Sequence, residues 1–170
     1  PRKIRAKRLA NKLDSEILTL TAKDGTRLLA EYDRSKTPNN SLIVLLHGWE
    51  GSSQSAYQVT TANYLLKQGF DVLRLNLRDH GDSHHLNFEL FNSTMTNEVA
   101  EAIACFFETH AYEKRFLAGF SLGGNFTLRI AADHGSSLKL TAAVAICPPV
   151  DPTNAMTALD NTLFIYERYF

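Results

Sequence analysis

Gly119-Phe120-Ser121-Leu122-Gly123 sets a serine between glycines two residues away on either side. In a G-x-S-x-G turn between a strand and a helix, the serine occupies a tight, strained bend that exposes its Oγ. The flanking positions must be small, and here they are Gly119, Gly123 and Gly124. The helix that follows begins with unpaired N–H groups and the positive end of its dipole beside the hydroxyl. Nucleophilic attack on an acyl carbon is the chemistry this arrangement suits. The Leu122 N–H is placed to receive the negative charge that develops on oxygen.

A second group follows the apolar run Leu42–Leu46, namely His47-Gly48-Trp49-Glu50-Gly51. On the nucleophile-elbow pattern, the loop after this strand contributes another oxyanion N–H, which by position is that of Trp49. Gly48 lets the backbone come close to the reacting oxygen. His47 reads as a supporting, internally bonded residue, because a general base needs a free ring nitrogen aimed at Oγ.

The elements that would hold these groups alternate strand and helix. Glu16–Thr21 and Arg27–Asp33 read as a hairpin turned by Lys23-Asp24-Gly25. Leu42–Leu46, Asp71–Leu75, Arg115–Phe120 and Leu140–Ile146 read as strands, the first and last of them as buried apolar runs. Val59, Ala62, Leu65 and Leu66 recur at helical spacing, and Gly69 stops that helix. A second helix carries Val99, Ile103, Phe106 and His110 and takes Ser93 or Thr94 as its cap. A third covers Leu122–Ala132, and the tail from Ala155 to Phe170 reads as helical. The pattern predicts an α/β fold, a mostly parallel sheet with helices on both faces. It divides into a basic arm over 1–12, a core over 13–155 and the start of a helical cap over 156–170.

Composition narrows the function classes. The chain has 170 residues, 44% hydrophobic and 21% charged, ordinary globular usage that suits one domain. Residues 1–12 carry six cations and no acid, so the remainder carries a net charge of −6. No aromatic residue is interleaved with those cations, so nucleic-acid binding is not expected. No apolar run is long enough to span a bilayer, and no secretory segment follows the basic start. Cys105 and Cys147 make no disulfide framework and read as small core residues of a cytoplasmic protein. His80, His84 and His85 lie on one loop with Asp79 and Asp82, but their spacing matches no standard zinc pattern, and no metal site is expected.

With these motifs in place, the chain from Leu13 to Phe170 resembles the α/β-hydrolases, and among them most the YheT/EMB8-type serine hydrolases. The resemblance is carried by Leu45-Leu46-His47-Gly48-Trp49-Glu50-Gly51-Ser52-Ser53, Asn76-Leu77-Arg78-Asp79-His80-Gly81, Gly119-Phe120-Ser121-Leu122-Gly123-Gly124-Asn125 and Pro148-Pro149-Val150-Asp151. Asp79 stands where related sequences often have glycine. The resemblance implies a serine hydrolase acting on carboxylic esters through a Ser–Asp/Glu–His triad, with a small-molecule acyl substrate and no cofactor. A non-catalytic binding domain and an acyltransferase are the alternatives.

The expected order is serine, acid, histidine. After Ser121 the sole histidine is His134, at the far end of the next helix and ~20 Å away, so it does not serve as base. Asp151 is a candidate acid, although turn chemistry beside Pro149 and Pro152 explains it equally well. The chain is therefore expected to be the N-terminal part of its fold, lacking the last strands and weak or inactive alone. Its apolar 156–170 segment is expected to be an association surface.

Overall fold

The computed structural model describes residues 13–161. Six strands form one sheet: β1 (Glu16–Thr21), β2 (Arg27–Asp33), β3 (Ser41–Leu46), β4 (Asp71–Leu75), β5 (Lys114–Phe120) and β6 (Ala142–Ile146). Four helices connect or follow them: α1 (Ala56–Lys67), α2 (Thr96–Thr109), α3 (Leu122–His134) and α4 (Pro152–Asp160). The strand order is β1-β2-β4-β3-β5-β6. β1 and β2 are antiparallel to their neighbours, whereas β3, β4, β5 and β6 run parallel.

The period-two alternation of β3 divides the core. Leu42, Val44 and Leu46 join Val99, Ile103 and Phe106 of α2 and Phe126 and Ile130 of α3 on one face. Leu45, with Val72 of β4 and Ala118 of β5, packs against Ala62, Leu65 and Leu66 of α1 on the other. Helices thus cover both faces of a mostly parallel sheet. Because β3, β4, β5 and β6 point the same way, the loops after Leu46, Leu75, Phe120 and Ile146 leave from one edge. A site assembled there draws on four separate segments.

Several local expectations hold in detail. The β1–β2 turn closes with the Gly25 N–H donating to the Ala22 carbonyl at 3.0 Å, and the Thr26 N–H donates to Asp24 Oδ1 at 2.9 Å. Past the end of α1, Gly69 takes φ 90° and Phe70 N–H bonds back to the Leu65 carbonyl.

Others need correction. α2 starts at Thr96 behind Met95, and neither Ser93 nor Thr94 caps it. The Asn92 side chain instead accepts from Thr94 N–H at 3.0 Å, turning the preceding segment on itself. His110 is the residue after α2, extended, with its ring stacked on Phe106. β6 is not a buried strand. It is the edge of the described sheet, and Val144 and Ile146 are exposed. Cys147 shares that exposure and takes φ 49°, so it is no core residue. Cys105 is half-buried. The last helix begins at Pro152, three residues ahead of the expected start at Ala155. The basic arm 1–12 and most of the apolar tail, 162–170, lie outside the described residues. No described helix is long and apolar enough to cross a membrane.

Candidate active site

β5 ends and α3 begins on either side of Ser121, which holds φ 51° and ψ −117°. A residue with a Cβ is rarely found there, and such a conformation costs about 1–3 kcal/mol unless its surroundings impose it. Two glycines impose it. A Cβ on Gly119 would run into the Gly123 carbonyl, and a Cβ on Gly123 would run into the carbonyls of His47 and Leu46. Only without both side chains can α3 leave so tightly and press its first turn onto the end of β3. Ser121 N–H donates to the Ile146 carbonyl at 2.9 Å, and Asn125 N–H donates to the Ser121 carbonyl at 3.0 Å. The backbone is thereby held at both groups while the side chain stands exposed.

The loop after β3 lies against this bend. A Cβ on Gly48 would stand 3.2 Å from Ser121 Cβ and 3.3 Å from the Phe120 carbonyl, so the two turns are in contact. Trp49, 60% exposed, lines the same cavity as Ser121 and Leu122. Among the described residues, neither the Trp49 nor the Leu122 backbone N–H has an acceptor. These are the two groups expected to receive an oxyanion.

The loop is fixed from behind by buried polar groups. Ser53 N–H donates to Asn76 Oδ1 at 2.8 Å, and Ser53 Oγ donates to Glu31 Oε1 at 2.7 Å. Arg74 Nη1 donates to the Ser53 carbonyl at 2.7 Å, and the same guanidinium pairs with Glu31 and Asp33. Tyr57 Oη accepts from Gly48 N–H at 2.9 Å, with its ring against Phe120.

The six histidines of the chain all fall within the described residues, and none is within hydrogen-bond distance of Ser121 Oγ. His47 is completely buried. Its Nε2 accepts from Leu77 N–H at 3.0 Å, so the proton sits on Nδ1, which donates to the Gly48 carbonyl at 2.7 Å. Burial, with the His80 ring beside it, pushes the imidazole pKa down to about 4. His47 is thus a neutral bolt between the loops after β3 and β4. His80 is half-buried, with Nδ1 on the Arg78 carbonyl and its ring against Phe91. His84 and His85 are exposed on the same loop, and His134 bonds Asn97 at the far end of α3. Asp151 caps α4, accepting from Asn154 N–H at 3.1 Å and from its side-chain amide at 2.6 Å. No group of three or more His, Cys, Asp or Glu side chains converges among the described residues.

Asp79 takes a left-handed φ of 59°, a conformation that favours glycine. Its carboxylate accepts from Phe91 N–H at 2.7 Å and ties the 79–91 loop across the site. Tyr57 and Arg129 near Ser121 escaped the sequence reading, and Asn125, quoted there only as the end of the glycine motif, donates its amide to the Pro149 carbonyl at 3.0 Å. The spacing of 121, 125 and 129 on one helix was the signal available for Asn125 and Arg129. The cavity over Ser121 measures about 790 Å³, within the ordinary range for small-molecule sites, and its lining is mostly apolar.

A family model described as alpha/beta hydrolase fold matches residues 41–169. The chain is similar to embryogenesis-associated protein EMB8 of Picea glauca, 24% identical over 121 residues, which are 71% of this chain and 26% of that protein. It is similar to a probable alcohol acetyltransferase of Cyberlindnera fabianii, 31% identical over 113 residues, 65% of this chain and 28% of that one. Among solved structures it superposes on the Pyrococcus furiosus esterase Pf2001 with a TM-score of 0.75 and 19% identity, over 93% of this chain and 59% of that chain. The chain thus spans about a quarter of the length of those two curated relatives.

Proposed function

This chain belongs to the alpha/beta hydrolase fold family, and from that premise we propose that it carries the nucleophile of a serine hydrolase acting on carboxylic esters. The observation that carries the reading is Ser121 itself, exposed in a strained bend beside two unpaired N–H groups. Ser121 Oγ bonds to the acyl carbon. The carbonyl oxygen takes the negative charge and is met by the Trp49 and Leu122 N–H groups. The C–O bond to the alcohol then breaks, and the alcohol leaves with a proton. Water attacks the acyl-serine and releases the acid, restoring the hydroxyl.

The base is the function these six histidines do not supply. A longer protein containing this chain would bring an imidazole to Ser121, and with it the acid, for which Asp151 is the weaker candidate because it already caps α4. Alcohol in place of water would give acyl transfer, a variant favoured by the similarity to a probable alcohol acetyltransferase. A cytoplasmic location belongs to the same reading and rests on the cysteine usage alone.

The test uses the purified chain, p-nitrophenyl acetate and added imidazole, with the protein-free reaction subtracted. Without imidazole the chain should show at most the residual rate of a triad stripped of a member, about 10³–10⁴ over water. Imidazole diffusing into the open cavity should raise it, and Ser121→Ala should abolish that imidazole-dependent gain while leaving the residual rate of the oxyanion groups. An identical imidazole-dependent gain in the two proteins, or none in either, would reject Ser121 and leave the non-catalytic binding domain.

A further inference from the structure

Arg129 is a charged residue on an otherwise uncharged cavity wall. It lies on α3 two turns beyond Ser121, so with Asn125 the three share one helix face. Eight residues at 1.5 Å each put its Cα ~12 Å along the helix from that of the serine. The intervening wall is largely apolar, with Phe91, Leu122, Pro149 and Val150.

Two buried guanidiniums are matched by acids, Arg74 by Glu31 and Asp33 and Arg78 by Glu98 at 2.5 Å, whereas half-buried Arg115, outside the cavity, spends its charge over the Phe107 ring at 4.2 Å and donates to the Leu138 carbonyl at 3.2 Å. Arg129 has no carboxylate partner among the described residues. Its Nη1 donates to the Ser93 carbonyl at 2.6 Å, and its Nη2 reaches Thr96 Oγ1 at 3.5 Å. Phe126 supports the guanidinium at 5.8 Å. A guanidinium has five N–H donors, so this leaves most of the fork unused while fixing where it points. Ser93 and Thr96 also bracket the start of α2, where no side chain caps the helix, so the positive end of that dipole lies beside the same corner. A cation held in place, at the end of an apolar wall, without a counter-charge of its own, is arranged to receive an anion.

We propose that Arg129 selects the substrate: the chain that fills the cavity from Ser121 ends in a carboxylate, to which the guanidinium donates in a charge-assisted pair. The preferred esters are then half-esters of dicarboxylic acids rather than esters of plain fatty acids. The proposal rests on Ser121 being the nucleophile in this cavity, so its test must not depend on turnover.

Trp49 is the single tryptophan of the chain and lines the same cavity, so its fluorescence reports occupancy directly. The Ser121→Ala chain, which holds ester without consuming it, is titrated with methyl octanoate and with monomethyl octanedioate. The hexanedioate and dodecanedioate half-esters bracket the length. The octanedioate should bind about tenfold more tightly than the uncharged ester, as a charge-assisted pair would give. Arg129→Gln should erase that ratio. Arg129→Glu should reverse it and favour the ester of an amine-ended acid of the same length. An unchanged ratio in Arg129→Gln, checked for folding by circular dichroism, overturns the proposal, as does equal binding of the two esters by the parent chain. Failure of the nucleophile reading shows elsewhere, as no Ser121-dependent rate in the p-nitrophenyl acetate assay.

Discussion

His47 shows how a residue type that invites a catalytic reading is settled by its partners. Both ring nitrogens are committed, one to the Leu77 N–H and one to the Gly48 carbonyl. Protonation would put a charge in a fully buried place and destroy the acceptor that Leu77 needs. With the folded pKa pushed down to about 4 and the unfolded value near 6.5, the unfolded chain takes up the proton first. Stability is therefore full above about pH 6.5, falls as pH drops, and stops falling from this cause below about 4. The loss amounts to roughly 3 kcal/mol at most. Urea unfolding at pH 7, 5.5 and about 4.5 should show this decline, and His47→Gln should flatten it while lowering stability at pH 7. A decline of equal size in the variant would put the linkage elsewhere. Ser121, by contrast, was legible because its requirement is local: glycines at fixed offsets, between a strand and a helix. Tyr57 was not, because its bond to Gly48 forms only once the sheet is folded, and Asn125 and Arg129 were signalled only by their helical spacing from Ser121.

The strands and helices were legible where period and punctuation agree. β1 and β2 form the expected hairpin, although Ala30, Glu31, Tyr32 and Asp33 of β2 are all buried in place of alternating, and α1 ends at Gly69 as a helix should. The cap of α2 was misplaced because Ser93 and Thr94 both have good capping side chains, yet Asn92 engages Thr94 first. β6 looked buried because Ala142–Ile146 is continuously apolar, and composition alone does not tell a covered strand from an uncovered one. No period announces the buried cluster of Arg74 with Glu31 and Asp33, which joins three elements. It ties β2 and β4 to Ser53, and so to the loop that carries Trp49. Arg74→Met would leave two carboxylates buried without a counter-charge and should cost about 3–5 kcal/mol. Thermal melts should show it, and Glu31→Gln with Asp33→Asn in the same chain should recover part of the loss. A melting temperature unchanged in Arg74→Met would mean that the cluster is hydrated and does not hold the loop.

At the scale of the molecule, one edge of the described sheet gathers the chemistry and another exposes apolar surface. Val144 is 54% exposed and Val150 72% exposed, next to the unpaired edge of β6. Such an edge invites pairing with another chain. The 170-residue chain should therefore self-associate in light scattering, and Val144→Lys should reduce the associated fraction. A monodisperse wild-type chain would contradict this. The central claim concerns the other edge, and one measurement reaches it without knowledge of the substrate. A fluorophosphonate is incubated with the chain and the modified residue is located by mass mapping. Ser93 lines the same cavity as Ser121 and also sits in a turn, but it lacks the positive φ that Ser121 holds, so it serves as an internal control. The account predicts an adduct at Ser121 ahead of Ser93 and every other serine, formed faster when imidazole is present and absent in Ser121→Ala. An adduct that appears first at Ser93, or a Ser121 that stays unmodified while other serines react, would contradict it.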